Sequence, residues 1–177
     1  VNPAGVVFGR GAMINVGGND VNDSVLTLID ATRAAAVAME LRANLREMFS
    51  ILRGRYDHPE SGQSLVVLVD DVYDPTDGTG RIPTTFRDGF CGTLQNPLFT
   101  DALRRTALDN LAMINAAIAA EVAAQGGVLV QQSVAFLGHG MNSGSARWLS
   151  GDCTHPMDIG HDGMRRAIWE GLTGERF

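Results

Sequence analysis

Five apolar residues follow one another in "SLVVLVDDVYDP" (64–75) before the run ends in a pair of aspartates. A strand with one face in water alternates apolar and polar side chains, and this one does not. An uninterrupted run of this length marks a parallel strand covered on both faces. Such a strand needs helices above and below it, and the flanking sequence supplies them. Residues 24–53 predict a long helix, with Leu28, Val37, Leu41, Leu45, Met48 and Leu52 along one stripe. Residues 98–125 predict a second, with Leu103, Ala107, Leu111, Ile114, Ile118 and Val122 spaced by four and three. "GAMINVGG" (11–18) and "GGVLVQQSVAF" (126–136) predict the other strands, and a final helix is expected over about 157–172. Strands separated by helices give βαβ units, hence an α/β fold with a parallel sheet and right-handed crossovers.

Ligands in such sheets bind beyond the C-terminal ends of the strands. Each predicted strand here runs into a polar cluster at that end: "GGND" after the first, "DVYDPTDG" after the second, "GHGMNSGSARWLSGDCTH" after the third. The unusual polar residues therefore gather on one edge of the sheet. Three strands are few for this architecture, in which sheets of five or more are usual.

The 177 residues fit one domain, 1–177, with no repeat, low-complexity tract or linker. A net charge of −6 weighs against nucleic acid or an anionic membrane as partner. No apolar run reaches the ~20 residues that cross a bilayer, so the chain is not expected to be transmembrane. The first ten residues do not read as a signal peptide, and localisation stays open. Cys91 and Cys153 permit one disulfide or two free thiols, and the sequence does not choose.

Two motifs carry chemistry. In "GDCTHPMDIGH" (151–161), Asp152 and His155 stand three apart. A carboxylate beside a histidine fixes the ring's tautomer and stabilises the imidazolium formed when the histidine acts as a base. Pro156 biases His155 away from helical backbone. The same spacing also fits a capping Asp with a surface His. In "GGND" (17–20), Gly17 and Gly18 permit a tight turn after the strand, from which the amide of Asn19 projects over the sheet edge. A neutral amide is a good oxyanion donor, although "NDVNDS" is equally rich in helix-capping residues.

Together these motifs resemble the SGNH (GDSL-type) hydrolase family of esterases and lipases. "GGND" at 17–20 matches its G-x-N-D block, and "DCTHPMDIGH" at 152–161 matches its D-x-x-H-P block. "VVLVDDVYDP" between them is similar to the family's fourth strand. The resemblance implies a flavodoxin-like three-layer sandwich and a Ser-Asp-His triad. It makes His155 the general base, Asp152 its orienting partner, Asn19 the side-chain oxyanion donor and Gly18 the glycine beside that donor. It implies acyl transfer from a small-molecule or lipid ester, with no cofactor and no metal. The family's G-D-S block, which carries the nucleophile, should precede "GGND" by several tens of residues. Only sixteen residues precede Gly17 and none is a serine. The serine and the first strands are therefore expected on a segment outside this chain, with a second polypeptide as one source. Ser24 opens a helix, and Ser143, Ser145 and Ser150 lack the context of a nucleophile elbow. The alternative is a non-catalytic binding protein that keeps the fold without the nucleophile.

The remaining polar residues read more plainly. His139 and His161 are not at the spacing of zinc ligands, and His58 lies in a surface turn. Asp71, Asp74 and Asp77 resemble a calcium loop only superficially and lack its closing glutamate. Trp148 either walls an acyl pocket or packs in the core.

Overall fold

The computed structural model describes residues 11–18, 25–57, 64–87 and 89–176, and for 25 and 26 the backbone alone. Asn19, Asp20, Ser24 and His58 lie outside the described residues. Three parallel strands, β1 (Gly11–Asn15), β2 (Val66–Asp70) and β3 (Val128–Val130), form a sheet in the order β1-β2-β3. Gly11 pairs with Val66 and Asn15 with Asp70, while Asp70 pairs on its other side with Val130. The apolar run of β2 behaves as its pattern requires: Val67 and Val69 are buried on one face and Leu68 on the other. The chain is α/β with a central parallel sheet.

The predicted helix over 24–53 is two helices, α1 (Val25–Ile29) and α2 (Ala31–Tyr56). Asp30 separates them. Its backbone is extended, and its side chain accepts from the N–H groups of Thr32 (2.9 Å) and Arg33 (3.2 Å), so it caps α2. The face of α2 that is buried runs through Ala34, Ala38, Leu41, Leu45 and Phe49. Alanines, which the apolar stripe passed over, let α2 lie close to its neighbour α4 (Asp101–Ala124). Thr100 caps α4 by accepting from Leu103 N–H. By length and composition α4 would suffice to cross a membrane. In the fold it packs along α2, with Leu111, Ile114, Ile118 and Val122 buried. Each such buried side chain contributes about 1.5–3 kcal/mol. Glu121, 1% exposed, is held ionised there by hydrogen bonds from Arg46, Gln125 and Arg42.

Two further expectations shift. The third strand spans only Val128–Val130, and Gln132–Ala135 turn into a helix, α5. The loop after β2 contains a short helix, α3 (Gly89–Leu94). The closing helix, α6 (Asp158–Thr173), lies against β3, where Gly171 approaches Val128 and Val130.

Candidate functional site

Three loops meet at the C-terminal edge of the sheet. The first follows β1. Gly17 has φ +90°, and a Cβ there would stand 2.9 Å from Val72 Cγ2, so both backbone and space demand glycine. Gly18 does not share that constraint, since nothing lies within 4 Å of where its Cβ would be.

The second loop follows β2 and is held from below by α4. Asn115 accepts from Val72 N–H (2.9 Å) and donates to Val72 C=O (2.7 Å), replacing the strand partner that the chain has left behind. Beyond it, Asp74 accepts from Thr76 N–H and Gly78 N–H. Asp77 accepts from Gly138 N–H, Gly140 N–H and the Ser143 hydroxyl. The carboxylates that resembled a calcium loop are thus spent on turns and on tying two loops together.

The third loop carries Asp152 and His155. Its base is closed by a bridge between Leu149 and Pro156 and by Ser150 N–H donating to His155 C=O (2.8 Å). A disulfide joins Cys153 to Cys91 of α3, resolving the open choice between bridge and thiols. Beneath it, Trp148 packs under α6: a Cβ on Gly163 would lie 2.2 Å from its indole ring. Trp148 also stacks on His139 at 3.8 Å and meets Phe136 edge-on. Of the two roles open to it, the tryptophan has the packing one. The His139 ring nitrogen Nδ1 lies 2.8 Å from Ala146 O, so this histidine too is engaged locally.

Within the loop, His155 Nδ1 lies 2.7 Å from Asp152 Oδ2. Asp152 Oδ1 accepts from Thr154 N–H (2.9 Å), His155 N–H (3.0 Å) and the Ser150 hydroxyl. Burial works to raise the pKa of Asp152, but these hydrogen bonds outweigh it and hold the carboxyl well below the usual carboxylate range. With Nδ1–H donating to an ionised carboxylate, Nε2 is left as the basic nitrogen. The imidazole side chain is 78% exposed. Tyr73 donates its hydroxyl to Thr154 O, and burial, reinforced by the charge of Asp152, pushes its pKa up to about 12. It therefore stays a neutral donor that braces the loop.

His155 and Gly18 border one pocket of about 300 Å3. Its wall is apolar, built by Leu28, Phe90, Leu94, Phe99 and Leu111 among others. Its polar lining includes a row at the C-terminal edge of the sheet: Asn15 and Asp70 at the ends of β1 and β2, and Gln132 at the start of α5. Asp70 is 3% exposed, and its carboxylate accepts from Asn15 Nδ2 and Gln132 Nε2, each at 3.3 Å. Burial pushes its pKa up to about 6, against the Gln132 hydrogen bond and helped by the charge of Asp71. Burial also raises that of Asp71, opposed by the Ser133 side-chain and backbone donors at the first turn of α5.

His155 and Gly18 line the same pocket and Asp152 contacts His155 behind it, while Asn19 lies outside the described residues. Two of the candidate serines are spent elsewhere, Ser150 on Asp152 and Ser143 on Asp77. Among the described residues, no hydrogen bond joins a serine hydroxyl to the His155 ring. Sequence reasoning missed Asn15, Asp70, Gln132 and Asn115. The signals for two of them were present, in the Asp doublet that ends "LVVLVDD" and the Gln doublet that interrupts "VLVQQ".

No protein-family model matches the chain. No curated protein matches it either. Among solved structures, it is similar to the crystal structure of phospholipase A1 from Streptomyces albidoflavus NA297, with 21% sequence identity and a TM-score of 0.59. The match covers 93% of this chain and 68% of that one, so over that span the chain shares the fold of that phospholipase A1.

Proposed function

We propose that the chain is the base-bearing portion of a serine ester hydrolase of the SGNH type, acting on a small-molecule or lipid ester. The observation that carries this reading is the 2.7 Å contact from His155 Nδ1 to Asp152 Oδ2 at the border of an apolar pocket. The likeness to a phospholipase A1 fold supports it. In this reading a serine Oγ attacks the ester carbonyl carbon and its proton passes to His155 Nε2. Asp152 stabilises the imidazolium, and Asn19 with the backbone at Gly18 donates hydrogen bonds to the oxyanion. The C–O bond to the alcohol then breaks and the alcohol leaves with the proton from His155. Water, deprotonated by the same nitrogen, releases the acid from the acyl-enzyme.

The serine comes from a segment outside these 177 residues, in the same polypeptide or in a partner. β1 is the edge strand of the described sheet, and Met13 stands 42% exposed on it. A further strand paired along that edge would end beside Gly18. The test is a fluorophosphonate probe on the intact protein. Labelling of one serine, lost in His155→Ala, is expected. No labelled serine overturns the reading and leaves the second one, a binding protein of this fold without a nucleophile. The engagement of Ser143 and Ser150 with aspartates is what favours that second reading.

A further inference from the structure

The row at the pocket floor has no part in the acyl-transfer chemistry, yet it is the most unusual polar group in the molecule. Asn15 and Asp70 end two neighbouring strands, and Gln132 opens α5 two residues beyond the end of the third. Asp70 is buried and, among the described residues, has no ion-pair partner. Its two hydrogen bonds come from neutral amides at 3.3 Å, the long end of the range. A carboxylate has about four acceptor positions, so Asp70 is under-supplied with donors. Gln132 is fully buried, and among the described residues its Oε1 has no hydrogen-bond partner. Buried polar atoms of this kind are ordinarily satisfied, and each that is not raises the question of what satisfies it. Both deficits are of donors. Asp71 adds a second negative charge next in the chain, and Asp71 too has no cation beside it among the described residues.

We propose that this row is a binding subsite for a primary ammonium group, which donates one N–H to Asp70 and another to Gln132 Oε1. An ammonium carries three donors and no acceptor, which is the complement of what the floor lacks. Its charge offsets the burial of Asp70, whereas a hydroxyl brings one donor and no charge. Binding is linked to ionisation. Asp70 titrates at about 6, so the ammonium is held above that pH and released below it. The other titratable or charged groups bordering the pocket are Asp71, Tyr73, Asp74, Arg104, His155 and His161. Of these, Arg104 pairs through Nη1 with Asp101 at 3.2 Å, while among the described residues its buried Nε has no hydrogen-bond partner. The ammonium belongs either to a free amine or to the amino-alcohol part of an ester whose carbonyl reaches His155.

Isothermal calorimetry on the intact protein tests this with n-propylammonium against 1-propanol, which has nearly the same shape and no charge. At pH 8, propylammonium is expected to bind about 10- to 100-fold more tightly, the range of one charge-assisted hydrogen bond. The preference should fall about tenfold at pH 5 in the unaltered protein and vanish at pH 8 in Asp70→Asn. Gln132→Leu should reduce it without abolishing it. Equal binding of the alcohol, or a preference that survives Asp70→Asn, overturns the proposal. So does displacement by equimolar sodium, which would mark only a counter-ion. The two sources are separated by hydrolysis of an aminoethyl ester against its hydroxyethyl analogue. A lower KM for the first, lost in Asp70→Asn, assigns the amine to the substrate; equal KM values with propylammonium still bound assign it to a free amine. Selective ammonium binding without fluorophosphonate labelling upholds the subsite and removes only the hydrolase reading. Labelling without ammonium selectivity does the reverse.

Discussion

Asp152 and Asp70 stand on the same edge of the sheet, and their acidities move in opposite directions. Asp152 is surrounded by donors: two backbone N–H groups, a serine hydroxyl and an imidazole converge on it. Asp70 receives two long contacts from amides and has a like charge next to it. Burial raises both, and only at Asp152 is it overcome. The difference shows that the supply of donors, and not depth alone, decides whether a carboxyl in this pocket region is a fixed anion or a group that titrates near neutrality. A fixed anion is what a histidine base needs beside it; a titrating one suits reversible binding.

The largest effect should come from removing the fixed anion. Asp152→Asn keeps the shape of the loop but lets the amide donate to Nδ1, which stabilises the wrong tautomer. In the intact protein, the proposed hydrolysis of a p-nitrophenyl ester should fall about 10^3- to 10^4-fold in kcat. His155→Ala should fall as far. A loss under tenfold would break the comparison at its first member.

The next effect separates the two sites mechanically. Cys153 lies inside the Asp152–His155 loop, with left-handed backbone at φ 64°, and its bridge to Cys91 closes a separation of 62 residues. Asp70 has no such tether, for it is fixed by the strand register to Asn15 and Val130. The Cys91→Ser/Cys153→Ser variant should lose about 2–5 kcal/mol in urea unfolding. It should also lose hydrolysis while keeping the pH-dependent binding at Asp70. Simultaneous loss of both under native conditions would show that the two carboxylates share one support.

Asp70 itself makes a smaller, opposite-signed prediction. Its folded pKa lies above the unfolded value, so the folded state holds the proton more firmly. The stability this gives is fully present below about pH 4 and is lost as pH rises through about 6. Asp70→Asn resembles the protonated form at every pH. It should therefore stabilise the protein at pH 8, by about 1–3 kcal/mol, and flatten the stability profile between pH 4 and 7. Urea unfolding at several pH values measures it.

The layout of the molecule was legible in the sequence because it depends on patterns that few residues can mimic. An unbroken "LVVLV" needs cover on both sides, and apolar spacing of three and four in 101–124 needs one buried face. That Asp152 and His155 can touch was legible from three residues of separation, though the same spacing fits a capping Asp equally. What escaped depends on contacts between distant segments. Asp30 ends one helix and starts another through a side-chain choice that periodicity does not register. Gln132 reads as strand because it follows "VLV", yet the chain turns there and delivers it to Asp70, 62 residues earlier. Asn115 looks like one polar residue on a helix until its partner, the backbone of Val72, is in place.

The smallest effect tests whether the donor count at Asp152 can be varied by one. Ser150→Ala removes a single hydroxyl, leaving the Thr154 and His155 N–H groups and the imidazole in place. The folded pKa of Asp152 is depressed, so the stability it contributes is present above about pH 4 and is lost as pH falls through the folded value. With one donor gone, the folded pKa should rise and that loss should begin at higher pH. The cost near neutrality should be only about 1 kcal/mol, and kcat should drop a few-fold because the remaining donors still keep the carboxylate ionised. If Ser150→Ala moved the acid limb of the stability profile no further than Ser145→Ala does, donor supply would not be what sets Asp152 apart from Asp70. Its position on a covalently pinned loop would then have to account for the difference.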